Sequence, residues 1–217
     1  MLVKDVMTPN PICGRPEMPV TELQAKMNKK NIRHLPIVDA GGNLVGLVTQ
    51  RSLLSALRTD ESDLSQFEVS YILKKIKAHH VMVTNIITID EDVPIEEAAR
   101  IMADKHIGCL PVMRASELVG IITDNDLFSA MLNLLGARRS GIRVAILQPD
   151  RMGEVARLTS AIAQKGGYLS VCVGYYPEEE TRDTWISLLK VSNIPKDELV
   201  ALINGLGDAQ VQDVREV

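Results

Sequence analysis

The sequence predicts an α/β chain of three units: two β-α-β-β-α units packed as a pseudo-symmetric pair, then an α+β unit in the order β-α-β-β-α-β. Three observations lead there. First, Leu35-Pro36-Ile37-Val38 and Leu44-Val45-Gly46-Leu47-Val48-Thr49 nearly recur as Leu110-Pro111-Val112-Met113 and Leu118-Val119-Gly120-Ile121-Ile122-Thr123, offset by 75 and then 74 positions. An internal repeat of this kind implies two similar folding units. Second, apolar residues at helical spacing precede each strand pair, with Val20, Leu23 and Met27 matching Ile95, Ala98 and Met102. Third, the chain is 46% hydrophobic but only 3% aromatic, which suits aliphatic α/β packing.

In each copy a short extended piece comes first, Ile12-Cys13 or Ile86-Ile87-Thr88-Ile89. Pro19 or Pro94 then opens the helix, where a missing N–H costs nothing. The two strands are split by the turn Asp39-Ala40-Gly41-Gly42-Asn43, one residue shorter in the second copy. A closing helix starts at Thr49 or Thr123 and carries Leu53, Leu54 and Leu57, or Leu127, Phe128 and Met131. The copies span 1–60 and 79–135, with a polar break at Thr59 to Asp63 and an amphipathic connecting helix over Leu64 to Ile76 inside the linker 61–78. Gly136 to Gly141 reads as a hinge before a third unit at 142–217. There, strand Arg143–Leu147, helix Glu154–Lys165, strands Tyr168–Tyr176 and Thr184–Val191, a helix from Pro195 to about Asn204 and strand Gln210–Val214 follow the ferredoxin-like order.

Composition narrows the functional classes. Sequence-independent nucleic-acid binding rests on basic surface, and single strands need aromatic stacking platforms. A net charge of −4 with 3% aromatics supplies neither, so no nucleic-acid partner is expected. The N-terminus has no signal-peptide pattern and no apolar run approaches about 18 residues, so a cytoplasmic protein without membrane association is expected. Cys13, Cys109 and Cys172 are far apart and read as buried thiols, with neither a zinc site nor a disulfide framework. Four histidines yield no nucleophile–base constellation and Glu178-Glu179-Glu180 has no metal-ligand spacing, so neither catalysis nor a metal is expected.

Residues 1 to about 135 resemble a tandem pair of CBS domains, a Bateman module. The resemblance rests on Val6-Met7-Thr8-Pro9 and the degraded Val81-Met82-Val83-Thr84 at the two openings. It rests also on Ile32-Arg33-His34-Leu35-Pro36 with Gly46-Leu47-Val48-Thr49, and on Ile107-Gly108-Cys109-Leu110-Pro111 with Gly120 to Asp126. Residues 142–217 look like an ACT domain by element order and by the turn Pro149-Asp150-Arg151-Met152-Gly153. The combined order is similar to bacterial acetoin-utilisation regulators of the AcuB type. The resemblance implies a regulatory protein without resident cofactor that binds an adenosine nucleotide (AMP, ADP or ATP) between the two CBS copies. It also implies a homodimer formed through the CBS or ACT domains, with ligand binding coupled to the ACT unit through the hinge. S-adenosylmethionine or NAD in the cleft remains open, as does a dimerisation scaffold with no ligand.

The family places a Thr and an Asp three apart at the start of the closing helix, matched here by Thr123 and Asp126. A carboxylate can accept from both ribose hydroxyls, while a threonine hydroxyl and helix N-terminal amides suit phosphate. The same Thr-x-x-Asp also reads as a helix cap. The first copy has Thr49 with Ser52, and a serine lacks the charged acceptors of a carboxylate, so unequal clefts are expected. Arg33 and His34 are candidates to neutralise a phosphate, with Lys4 and His79 at matching positions of the openings. Ile107, Cys109, Pro111 and Pro36 complete the expected nucleotide site. In the third unit, Asp150, Arg151, Met152 and Gly153 read either as an amino-acid carboxylate seat or as a tight strand-to-helix turn.

Overall fold

The computed structural model describes residues 1–57, 75–177 and 183–217. Most of the expected connecting helix and the run Glu178 to Glu180 lie outside the described residues. The chain divides into two compact units, Met1–Phe128 and Ser129–Val217.

The first unit contains both repeats. Its elements are α1 (Val3–Val6), β1 (Thr8–Pro9), α2 (Val20–Lys30), β2 (His34–Val38), β3 (Leu44–Thr49) and α3 (Gln50–Leu57). The second copy gives α4 (Ala78–Val81), β4 (Ile89–Asp90), α5 (Ile95–Lys105), β5 (Cys109–Arg114), β6 (Glu117–Thr123) and the start of α6 (Asp124–Leu134). The helical stripes read from the sequence are the buried ones: Val20, Leu23 and Met27 on α2, and Ile95, Ala98 and Met102 on α5, are all at most 6% exposed. Each helix ends at a residue in the left-handed region, Asn31 at φ 52° and His106 at φ 53°, so the repeat extends to its backbone turns.

The two openings are exchanged between the copies. β1 pairs antiparallel with β6 of the second copy, Thr8 opposite Ile121 and Pro9 opposite Gly120. Reciprocally, Leu47 on β3 bridges to Val83 from the second opening. Val3 sits in the second copy's core with Leu110, Val112 and Ile122, and Ala78 sits in the first copy's core with Leu35, Ile37 and Val48. The unit is therefore not two independent β-α-β-β-α repeats; each core is completed by the other copy's opening.

Where the openings cross, close approach leaves a side chain at Gly120 or Gly46 no room without a shift of the facing methionine. A Cβ at Gly120 would stand 2.2 Å from the Met7 sulfur, and one at Gly46 would stand 2.2 Å from the Met82 sulfur. These are pseudo-equivalent contacts. A third cluster of Leu47, Cys109 and Ile121 draws on strands from both copies.

The second unit contains β7 (Ile142–Pro149), α7 (Glu154–Gln164), β8 (Tyr168–Tyr175), β9 (Thr184–Ser192), α8 (Lys196–Asn204) and β10 (Gln210–Glu216). Its sheet is antiparallel in the order β10-β7-β9-β8, the β-α-β-β-α-β arrangement expected from the sequence. Val144, Ile146, Leu189 and Val191 share a core with Leu158 and Ile162 of α7 and Leu199 and Ile203 of α8. Lys190 is 5% exposed, and its Nζ donates to the Gly136 carbonyl at 2.7 Å. That contact holds the residue ending the Leu132–Gly136 turn, where Ala137 N–H donates back to Leu132 O at 2.9 Å.

The thiols differ from the expectation of three buried cysteines. Cys109 is buried, Cys13 is intermediate and Cys172 is exposed on β8, an edge strand of its sheet. Burial, reinforced by the charge of Asp124, pushes the Cys109 thiol up to about 12. Since the thiolate is the nucleophile, alkylation at pH 8 should label Cys172 and leave Cys109 unmodified. Mass spectrometry after labelling checks this, and modification of Cys109 in folded protein would contradict its burial.

Candidate functional site

The exchange of openings builds a cavity of about 300 Å³ in the first unit, lined by Thr8, Asn10, Pro11, Ile12, Asn31, Ile32, Arg33, His34, Ile121, Thr123, Asn125 and Asp126. It brings together four expected residues from opposite copies: Arg33 and His34 from the first, Thr123 and Asp126 from the second. Its volume is at the lower end of the ~300–1,000 Å³ usual for small-molecule sites. β1 reaches it because it pairs with β6, whose last residue is Thr123.

Thr123 and Asp126 form a closed cap at the start of α6. Asp126 Oδ2 accepts from the Thr123 N–H and from its hydroxyl, both at 2.8 Å, and the Asp126 N–H reaches Thr123 Oγ1 at 3.4 Å. Asp126 Oδ1 makes no hydrogen bond among the described residues. The cap therefore occupies one carboxylate oxygen and leaves the other as an acceptor in a residue that lines the cavity.

Ser52 is more fully committed. Its hydroxyl accepts from the Thr49 N–H and donates to the Thr49 carbonyl, both at 3.0 Å, while its own N–H donates to Thr49 Oγ1 at 3.0 Å. A second, more open cavity of about 470 Å³ is lined by Thr49, Arg51, Ser52, Ser55, His80, Val81 and Val83. The two clefts are chemically unequal: one contains a carboxylate with an uncommitted oxygen, the other a serine whose donor is already used.

Arg33 and Asp124 form an ion pair between the copies, Nη2 to Oδ1 at 3.0 Å, with side chains 52% and 44% exposed. Burial, then the neighbouring Arg33 charge, holds the His34 imidazole below its ordinary value, with Asp124 opposing. His34 is therefore neutral at pH 7. An NMR titration of His34 should give a midpoint below about 6.5. Between that midpoint and the unfolded value the unfolded chain holds more protons, so the stability this residue contributes is fully present above about pH 6.5 and is lost as pH falls through the folded midpoint. A His34 titrating at the ordinary value would contradict this environment.

The remaining expected residues lie elsewhere. Lys4 pairs with Asp92 at 2.6 Å, and His79 Nδ1 lies 3.0 Å from the Pro16 carbonyl and 3.4 Å from Glu17; neither lines either cavity. Pro36 and Pro111 are buried in β2 and β5, Cys109 packs with Leu47 and Ile121, and Ile107 packs against the second copy's core. In the second unit Asp150 accepts from the Tyr176 hydroxyl at 2.8 Å, Arg151 pairs with Asp208 at 3.4 Å and Met152 is fully exposed. Gly153 caps α7 at φ 89°, a backbone conformation that favours glycine.

The sequence reading omitted Thr8, Asn10, Asn31 and Asn125 from the first cleft, and Arg51, Ser55 and His80 from the second. The available signals were Thr8 within Val6-Met7-Thr8-Pro9 and the positions of Arg51 and Asn125 inside the two closing-helix starts.

The CBS domain family model matches residues 3–59 and 78–133, together just over half of the chain. The chain belongs to the CBS-domain proteins. Among solved structures, a putative acetoin utilization protein (AcuB) from Vibrio cholerae is 35% identical with TM-score 0.54, covering 64% of this chain and 95% of that one. The CBS domain pair of protein MJ0100, solved with 5′-methylthioadenosine and S-adenosyl-L-methionine, is 30% identical with TM-score 0.53 and covers 64% of this chain and 98% of that one. CBSX2, solved with AMP, is 28% identical with TM-score 0.51 over 61% of this chain and 96% of that one. An L-aspartate semialdehyde sulfurtransferase of Methanocaldococcus jannaschii is 32% identical over 58% of this chain, and the match spans only 22% of that enzyme's length. Among the described residues, no helix is long and apolar enough to cross a membrane, and no cluster of three or more His, Cys, Asp or Glu could hold a metal ion.

Proposed function

We propose that this protein is a non-catalytic regulator that binds an adenosine ligand of the AMP, ADP or ATP class in the cleft of Thr123 and Asp126. The observation that carries the reading is a single cavity lined by Asp126, with one uncommitted carboxylate oxygen, and by Arg33 from the other copy. Asp126 would accept from the ribose hydroxyls, and Arg33 would meet phosphate. The CBS neighbours solved with AMP, and with 5′-methylthioadenosine and S-adenosyl-L-methionine, support the ligand class. The cleft of Thr49 and Ser52 would bind such ligands more weakly, because Ser52 offers no charge.

The C-terminal β-α-β-β-α-β unit would act as an ACT-type module, assembling a homodimer or sensing an amino acid through Asp150 to Gly153. Coupling between the two functions is then reciprocal: an amino acid that alters AMP affinity must itself bind with an affinity altered by AMP to the same factor.

Thermal unfolding of nucleotide-free protein with AMP, ADP, ATP, NAD, S-adenosylmethionine and 5′-methylthioadenosine tests the reading. Ligand at about a hundred times its Kd adds ~2.7 kcal/mol, which raises Tm by several degrees. A shift with an adenosine nucleotide is the expected result. No shift with any of the six would leave a ligand-free dimerisation scaffold as the better reading.

A further inference from the structure

We propose that Asp124 competes with the ligand for Arg33, so that the Arg33–Asp124 pair is a latch that only an adenosine ligand bearing an anionic phosphate opens. The proposal rests on the reading of the Asp126 cleft as an adenosine site. Arg33 lines that cavity, whereas Asp124, its partner at 3.0 Å, does not. Among the described residues the lining contains no other permanent cation: burial and Arg33 hold His34 below its ordinary value, and the remaining lining residues are uncharged or, in Asp126, acidic. A phosphate entering the cleft therefore depends on the guanidinium that Asp124 already holds.

The geometry says which partner moves. Asp124 Oδ1 also accepts from the Asn125 N–H at 2.8 Å, and the Asp124 N–H donates to Gly108 O at 3.1 Å, so the acid is fixed at the start of α6. Arg33 is a long side chain, half exposed, held at its head by that acid. Exposed pairs of this kind are weak, so exchange for a multiply charged phosphate is favourable. The device is present once: at the pseudo-equivalent positions the chain has Gly108 for Arg33 and Gln50 for Asp124, neither charged. Asp124 is thus a positioning residue that acts through Arg33, and Arg33 sets the preference for phosphate esters over neutral adenosine thioethers.

The test is calorimetric titration of the intact protein with AMP and with 5′-methylthioadenosine, for the wild type, Asp124→Asn and Arg33→Gln. Asparagine retains an acceptor for the Asn125 N–H while removing the charge. The expected result is that Asp124→Asn binds AMP about two- to fivefold more tightly with 5′-methylthioadenosine affinity unchanged. Arg33→Gln should weaken AMP by about tenfold or more and leave the thioether unaffected. An unchanged ratio of the two affinities in Asp124→Asn, with both compounds binding the wild type, would overturn the latch and leave the adenosine reading standing. Failure of AMP, ADP and ATP alike to bind the wild type would overturn the latch together with the adenosine reading.

Discussion

If the Asp126 cleft holds the nucleotide as proposed, Asp126→Ala is expected to lower the affinity for adenosine nucleotides by about 10- to 100-fold, and Ser52→Ala to change it little. A hydrogen bond to a charged group contributes about 1.5–3 kcal/mol, and one oxygen of Asp126 remains for the ribose after the Thr123 cap is made. The same substitution removes a helix cap, which costs about 1 kcal/mol of stability. The two effects separate experimentally. Asp126→Asn retains a side-chain oxygen for the cap but loses the charge, so it should recover most of the stability and little of the affinity. Calorimetry for binding and thermal unfolding for stability read the two independently. Nucleotide affinity that survives in Asp126→Ala would place the ligand elsewhere, with the Thr49 and Ser52 cleft the first alternative.

Gly46→Ala is expected to destabilise the first unit by about 1–3 kcal/mol, the usual cost of overfilling a packed contact. The new Cβ would stand 2.2 Å from the Met82 sulfur, 2.7 Å from its Cγ and 3.0 Å from its Cβ. Because the Met82 Cβ itself is close, rotation of the side chain cannot relieve the whole clash. For a chain of this size the loss lowers Tm by roughly 2–12 °C. The contact also ties the second opening to the first copy, where Val83 N–H donates to Leu47 O and Leu47 N–H donates back, both at 2.9 Å. The partner-dependence is decisive: combined with Met82→Ala, Gly46→Ala should cost much less than it does alone, because the clash has lost its second half. Strictly additive costs would show that the two residues do not meet.

The parts of the fold that have a period were legible in the sequence. Val20, Leu23 and Met27, and Ile95, Ala98 and Met102, repeat at helical spacing and are buried as that spacing requires. The repeated strand pairs and the order of the C-terminal unit were legible for the same reason. The exchange of openings was not, because β1 is two residues long and its partner β6 lies more than a hundred positions away. Gly120 and Met7 each fit their own local motif, and nothing local records that they touch.

The site divides along the same line. Thr123 and Asp126 carry a local motif, and Arg33 and His34 stand out as charged or titratable groups beside a strand. Thr8 and Asn10 come from the exchanged opening, whose position depends on the other copy, and Asn31 is the left-handed residue that ends α2. Cys109 and Pro111 were placed in the site by motif, yet Cys109 packs with Leu47 and Ile121 while its neighbours Leu110 and Val112 enter the second copy's core. Side chains along a strand alternate faces, and both faces of β5 are covered here. A signature that is contiguous in sequence therefore mixes core residues with those that line the cleft.

The most direct test of the central claim is the stoichiometry of AMP binding to the intact, nucleotide-free protein, measured by isothermal titration calorimetry. Unequal clefts predict one saturable high-affinity site per chain, with any second event much weaker. Absence of saturable binding by AMP, ADP and ATP would contradict the account, and two equal sites per chain would contradict the distinction drawn between Asp126 and Ser52.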